Sequence, residues 1–143
     1  MFGDMRAIGF DTKGDFDVLK VVDREVRAAG PKEVRISVKA AAVNPTDLVF
    51  RQMGNGDVPR PWVPGMDAAG VIESVGPEVD RLHVGDRVMT ACSPRRPEGG
   101  AQSELLVVPA ASVVAIPDNA SFAQASTLPM NGSPRCSAFA RWR

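Results

Sequence analysis

The chain has 143 residues, and its 17 Lys and Arg residues balance its 17 Asp and Glu residues, so the formal net charge is zero. This balance excludes the strong positive field of a nucleic-acid binder, and no apolar run is long enough to cross a membrane. Because the N-terminus also lacks the charged-then-apolar pattern of a signal peptide, the sequence predicts a cytoplasmic protein with neither nucleic acid nor membrane as a partner.

The first half of the chain predicts three strands and one helix. The length fits a single domain, and 12 prolines and 13 glycines favour short strands joined by turns. Apolar segments predict strands at residues 5–10 and 18–23. The clearest strand covers residues 33–43, because apolar and polar side chains alternate there. After Asn44 and Pro45, residues 46–53 are predicted to form a short helix, in which Leu48 and Val49 can face the core.

The second half predicts four more strands and a second short helix. The strands are expected at residues 68–75, 87–92, 103–108 and 113–116. Ser121 and Gln124 form a capping box, which predicts a helix that ends before Pro129. About seven short strands and two brief helices together predict an all-β, barrel-like domain.

The character of the sequence changes after Gly132. Residues 133–143 contain three arginines, no acidic residue and no clear periodicity. The sequence therefore predicts one domain over residues 1–132, followed by an unrelated, disordered tail over residues 133–143.

Five motifs, in this order along the chain, resemble the medium-chain dehydrogenase/reductase superfamily. They are AVNPTD at residues 42–47, PGMDAAGVI at 64–72, VGDRV at 84–88, GGAQSE at 99–104 and LPMNG at 128–132. The resemblance implies a mainly β, GroES-like barrel with two or three short helices, which is the substrate-side domain of these enzymes. In complete members a Rossmann-type domain follows and binds the nicotinamide cofactor.

The residues at the superfamily's zinc positions favour its zinc-free branch. The resemblance places the first cysteine ligand at Asn44, the histidine ligand at Met66 and a further cysteine near Met130. An amide and two thioethers are poor zinc ligands, and His83 matches no ligand position. We therefore expect no zinc and a quinone oxidoreductase-like enzyme, whose reaction is hydride transfer from NADPH to a quinone or an enone.

In a zinc-free site the reduced carbonyl must be polarised by hydrogen bonds. The resemblance makes Asn44 the first catalytic candidate, as an amide donor, with Asp47 as a positioning group and Arg51 as a third candidate. Each of the first two also has a structural interpretation. Asn44 suits a turn before Pro45, and Asp47 suits the first turn of a helix.

The same resemblance assigns the walls of the site. Met66, Asp67 and Met130 are expected to line the substrate pocket, and Asn131 to contact the cofactor. Asp67 can equally be a hydrogen-bonded residue that holds its loop, and Met66 can be plain core.

The sequence contains no Gly-x-Gly-x-x-Gly after a strand, so no Rossmann domain is predicted. Because Gly54-Asn55-Gly56 follows a helix instead of opening one, it is not a phosphate cradle. Hydride transfer needs a nicotinamide held against the substrate, so we expect this chain to be inactive alone and to bind no NADPH. Exposed apolar residues such as Leu128 and Met130 would then favour self-association. Family members continue after Gly132 with an apolar helix, which suggests a frameshift as one hypothesis for the tail.

A second interpretation stays open. The chain could be a non-catalytic GroES-like module that binds a ligand or forms an oligomer, and the sequence does not decide whether the chain itself is an enzyme. Measurable NADPH affinity would favour the oxidoreductase. The sequence does not separate a quinone reductase from an enoyl reductase, nor NADP from NAD.

Overall fold

The computed structural model describes residues 3–132, so the predicted tail at residues 133–143 lies outside the described residues. Within that range seven strands form most of the regular structure: β1 Gly3–Gly9, β2 Lys20–Val26, β3 Glu33–Ala41, β4 Asp67–Val75, β5 Arg87–Ala91, β6 Leu105–Pro109 and β7 Val113–Ala115. The α-helices are α1 Pro45–Met53 and α2 Phe122–Ala125, and 3-10 turns cover Phe16–Val18 and Ala110–Ser112. Residues 129–132 are helical as well.

The strands form two antiparallel sheets. A two-stranded hairpin pairs β1 with β2, and a five-stranded sheet has the order β6-β3-β4-β5-β7. The hairpin is joined to the rest by bridges from Ala7 to Ser103 and from Phe10 to Trp62. The prediction of a mainly β domain with short helices is thereby confirmed.

The pairing of β3 with β4 brings the candidate residues together. Register shifts interrupt the pairing between Arg35 and Ile36 and again between Val38 and Ala40. A Cβ atom built on Gly70 would overlap the Ser37 carbonyl oxygen, so only glycine allows the two backbones to approach this closely. As a result, the start of β4 lies beside the connection from β3 to α1, where Ala42 N donates to Asp67 O at 3.3 Å.

The main core lies on one face of the five-stranded sheet. It is formed by buried aliphatic residues, among them Val34, Ile36, Ile72, Val88, Leu106 and Val108. A separate aromatic cluster places Phe10, Phe50 and Trp62 edge to face under α1. None of the helices in the described range combines the length and the apolar character that a membrane span requires.

Two local predictions differ from the structure. Leu48 and Val49 do not face the core, because 42% and 50% of their surfaces are exposed. The buried residues of α1 are Asp47, Phe50 and Arg51. Asp47 accepts from Gly65 N and Arg51 Nη1 donates to Asp15, both in neighbouring loops. The helix predicted to run up to Pro129 ends earlier, because α2 stops at Ala125. Pro129 instead begins the helical segment 129–132, a position that its fixed φ angle suits.

Candidate functional site

The connection from β3 to α1 is held by Asp47. Asn44 precedes the helix, and its backbone N donates to Asp47 Oδ2 at 2.7 Å. The other oxygen, Asp47 Oδ1, accepts from Gly65 N at 2.9 Å. Gly65 has a φ of 107°, which favours glycine. Asp47 is buried and both its oxygens are occupied, so its observed contacts are those of a group that fixes α1 to the loop before β4.

Asp67 is the most buried polar residue of the site, with 0% of its surface exposed. Its Oδ2 accepts from Asn44 Nδ2 at 2.7 Å, and its Oδ1 accepts from Met130 N at 2.6 Å. The carboxylate therefore links the start of β4 to the N-terminus of α1 and to the helical segment 129–132. Among the described residues it has no cationic partner, so these two hydrogen bonds carry the stabilisation of its charge.

The contact with Asp67 fixes the orientation of the Asn44 amide. An ionised carboxylate only accepts hydrogen bonds, so the amide nitrogen of Asn44 must face it and the amide oxygen must face away. One N–H of Asn44 Nδ2 is used in this contact. Its second N–H has no hydrogen-bond partner in residues 3–132. The Asn44 side chain also takes part in a capping box, in which it faces the backbone N–H of Asp47.

The thioether of Met66 lies beside the first turn of α1. Thr46 Oγ1 donates to Met66 Sδ at 3.0 Å, and Thr46 itself is exposed. The structure thus brings four predicted site residues into one group, which we call the Asn44–Asp67 cluster: Asn44, Met66, Asp67 and Met130. Thr46 is a further member that the sequence reasoning missed, although it lies inside the Asn-Pro-Thr-Asp motif.

Asn131 has a different environment from the one expected for a cofactor contact. Its side chain is exposed, and its Nδ2 donates to Thr127 O at 3.1 Å within the same helical region. Its role at a cofactor therefore stays a prediction.

Arg51 lies on the other flank of α1. It is only 5% exposed, and its Nη1 donates to Asp15 Oδ1 at 2.7 Å. The guanidinium carbon stacks over the Phe16 ring, 4.1 Å from its centroid. This hydrogen bond lowers the pKa of Asp15. Arg51 Nε is buried and has no hydrogen-bond partner in the described part of the chain.

Arg51 lines a cleft of about 250 Å³, which we call the α1 cleft. Its apolar walls come from Ile8, Phe16, Leu19, Val43, Leu48 and Pro64. Asp47 and Gln102 are its other polar residues, and Gln102 Nε2 donates to Ala42 O at 3.4 Å. The sequence did not predict this cleft, because its walls come from segments that are distant along the chain.

The donor atoms near the Asn44–Asp67 cluster do not fit a zinc ion. Burial raises the pKa of the Cys92 thiol to about 12, and its Sγ lies 3.6 Å from Gly65 O. Zinc binds the thiolate, which this environment disfavours. Both Asp67 oxygens already accept hydrogen bonds. Across residues 3–132 no group of three His, Cys, Asp or Glu residues is placed to hold a metal ion.

The sequence is similar to those of known oxidoreductases. Residues 30–118 match the family described as alcohol dehydrogenase GroES-like domain. A quinone oxidoreductase of Pseudomonas aeruginosa is 37% identical over 130 residues, which cover 89% of this chain and 38% of that protein. The NADPH-dependent alkenal/one oxidoreductase of Arabidopsis thaliana chloroplasts is 37% identical over 137 residues, or 89% of this chain and 35% of that protein.

Solved structures agree with this likeness and include a metal-bound protein. The cobalt- and zinc-bound thermostable alcohol dehydrogenase of Pyrobaculum aerophilum has a TM-score of 0.74 and 34% identity. The match covers 89% of this chain and 45% of that protein. The chain thus spans less than half the length of the relatives that it matches.

Proposed function

The chain belongs to the alcohol dehydrogenase GroES-like domain family of the medium-chain dehydrogenase/reductase superfamily, and we propose that it is the substrate-side domain of a zinc-free, NAD(P)H-dependent quinone or enone oxidoreductase. The oriented amide of Asn44 is the observation that carries this proposal. It stands where the resemblance places a zinc ligand, and its Nδ2 is held at 2.7 Å from Asp67 Oδ2.

A carbonyl substrate would accept a hydrogen bond from the second N–H of Asn44. As negative charge develops on that oxygen, a fixed N–H donor stabilises it more strongly than it stabilises the ground state. Asp67 would hold the amide in place, and Thr46 and Met66 would form the adjoining wall. Asp47 contributes indirectly, because it fixes the first turn of α1.

A bound nicotinamide nucleotide would supply the hydride. Residues 3–132 contain no Rossmann-type fold, so Asn44, Thr46, Met66 and Asp67 would act on the substrate side alone. We propose that the 143-residue chain by itself binds no NADPH and does not turn over. The relatives named quinone oxidoreductase and alkenal/one oxidoreductase support the substrate class.

A chimaera tests the proposal. Residues 1–132 would replace the matching segment of the Pseudomonas aeruginosa quinone oxidoreductase, and NADPH-dependent quinone reduction would be measured. Asn44→Ala is expected to lower kcat/KM roughly a hundredfold, the usual effect of losing one such donor. The exposed Asn119→Ala is the matched control and should leave it unchanged.

Three results would contradict the proposal: a folded chimaera without activity, an Asn44→Ala variant with full activity, or turnover by the 143-residue chain alone. A metal-dependent activity that a chelator abolishes would instead favour the alcohol dehydrogenase branch.

A further inference from the structure

We propose that the α1 cleft is a second ligand site, which takes a planar, uncharged, apolar molecule with one hydrogen-bond-accepting oxygen, such as an aryl ketone. This site differs from the Asn44–Asp67 cluster. In an α-helix each residue is rotated by about 100°, so Arg51 lies about 140° around α1 from Thr46. Thr46 contacts Met66 on one flank, and Arg51 lines the cleft on the other.

The shape and polarity of the cleft set the class of ligand. Six of its nine lining residues are apolar, and its volume is about 250 Å³, which suits a small organic molecule better than a chain of ordered waters. Phe16 contributes an aromatic ring that is 65% exposed. An aromatic ligand would therefore gain contact area at this wall.

The guanidinium of Arg51 offers one free edge to such a ligand. Phe16 covers one face at 4.1 Å, and Asp15 Oδ1 accepts from Nη1 at 2.7 Å. The remaining edge consists of Nε and Nη2, and neither atom has a partner among residues 3–132. Nε is fully buried, whereas Nη2 is not among the buried unpartnered atoms, so Nη2 is the atom that a ligand can reach. An N–H donor without an acceptor is rare inside folded proteins, and a ligand oxygen placed against Nη2 would supply an acceptor to this edge.

The charges around the cleft favour an uncharged acceptor over an anion. Asp15 already balances the positive charge of Arg51, and Asp47 places a second carboxylate in the lining. A carboxylate ligand would meet two acidic residues and one cation. A ketone oxygen accepts the same hydrogen bond without this repulsion.

Three naphthalene probes test the proposal on the 143-residue chain by ¹⁵N-edited NMR titration. 2-Acetylnaphthalene is expected to bind at least about tenfold more tightly than 2-methylnaphthalene, which lacks the acceptor, and more tightly than 2-naphthoate. The Arg51 Nε–H resonance should shift with 2-acetylnaphthalene but not with 2-methylnaphthalene. This readout needs no mutation and therefore survives if a variant fails to fold.

Variants assign the site. Arg51→Gln should lower the affinity for 2-acetylnaphthalene about tenfold, whereas the exposed Arg95→Gln, which removes the same charge, should not change it. Asn44→Ala should also leave it unchanged. Equal affinity for the acetyl and methyl probes, absence of binding, or tighter binding of 2-naphthoate would overturn the proposal. A loss of affinity in Asn44→Ala alone would place the probe at the Asn44–Asp67 cluster, which would overturn the second site and leave the proposed oxidoreductase function intact.

Discussion

Replacing Asp67 with alanine tests the carboxylate that joins α1, β4 and the helical segment 129–132. The change leaves two donors without an acceptor, Asn44 Nδ2 and Met130 N. Each orphaned donor costs about 1–3 kcal/mol, and the cost falls where water can reach the group. The parent protein also bears the desolvation cost of burying a carboxylate that has no cationic partner among the described residues. Removing the carboxylate removes that cost, which offsets part of the loss. We expect the free energy of unfolding to fall by about 2–4 kcal/mol.

Urea unfolding followed by circular dichroism measures this loss. Asp118→Ala removes an exposed carboxylate and should change the free energy of unfolding by less than about 0.5 kcal/mol. Amide hydrogen exchange adds a local readout. The Met130 amide should lose protection in Asp67→Ala, whereas the Gly54 amide, which donates to Phe50 O at 2.7 Å, should keep it. Unchanged stability together with unchanged protection at Met130 would refute the reasoning.

The isosteric Asp67→Asn variant separates the charge from the acceptors. The new side chain presents one oxygen and one amino group, so it can accept from only one of the two donors. The expected loss is about half of that in Asp67→Ala. If the variant is more stable than the parent, the free energy lost by burying the charge exceeds the stabilisation from its two hydrogen bonds.

Two further predictions concern acid stability and association. The ion pair with Arg27 lowers the pKa of Glu33 to about 2 from its ordinary value of 4.5, so its stabilisation is complete above pH 4.5 and is lost as the pH falls towards 2. Glu33→Gln should therefore lower the free energy of unfolding at pH 7 by at most about 2 kcal/mol after solvent screening, and by almost nothing at pH 2. The exposed Glu25→Gln is the control. An equal loss at both pH values in urea melts would refute the prediction. Leu128 is 52% exposed, so the chain should self-associate at micromolar concentration in sedimentation velocity, and Leu128→Gln should weaken this association. Val84→Gln, which replaces another exposed apolar residue, should leave it unchanged. A monomeric parent chain would contradict the prediction.

The strands could be predicted because their sequence signal is local. The alternation along β3 shows in the structure as buried Val34 and Ile36 between half-buried neighbours. The proximity of Asn44 to Asp67 could not be derived in this way. It depends on two register shifts between β3 and β4 and on the close approach at Gly70, which no alternation pattern encodes.

The orientation of α1 was predicted wrongly for a physical reason. A pattern-based prediction assigns apolar residues to the core, and this would bury Leu48 and Val49. In the structure Phe50 is the buried apolar residue of the helix, and the other two buried positions supply an acceptor and a donor to distant loops. Asp47 receives Gly65 N, and Arg51 reaches Asp15. Such partners lie 18 and 36 residues away, so periodicity within the helix does not reveal them.

The contacts of α1 explain why, in the proposed function, a substrate carbonyl would be polarised by N–H donors. Asp47 and Asp67 are buried carboxylates, and each accepts two hydrogen bonds, at least one of them from a backbone amide. Each of these four oxygens thus already has one N–H donor, which a metal ion or a substrate proton would have to share or displace. Within the described residues, the second N–H of Asn44 on one flank of the helix and Nη2 of Arg51 on the other have no hydrogen-bond partner. In the two proposals, both flanks would therefore favour a ligand oxygen that accepts a hydrogen bond. The proposed sites differ in whether that oxygen would belong to a molecule that is reduced or to one that is only bound.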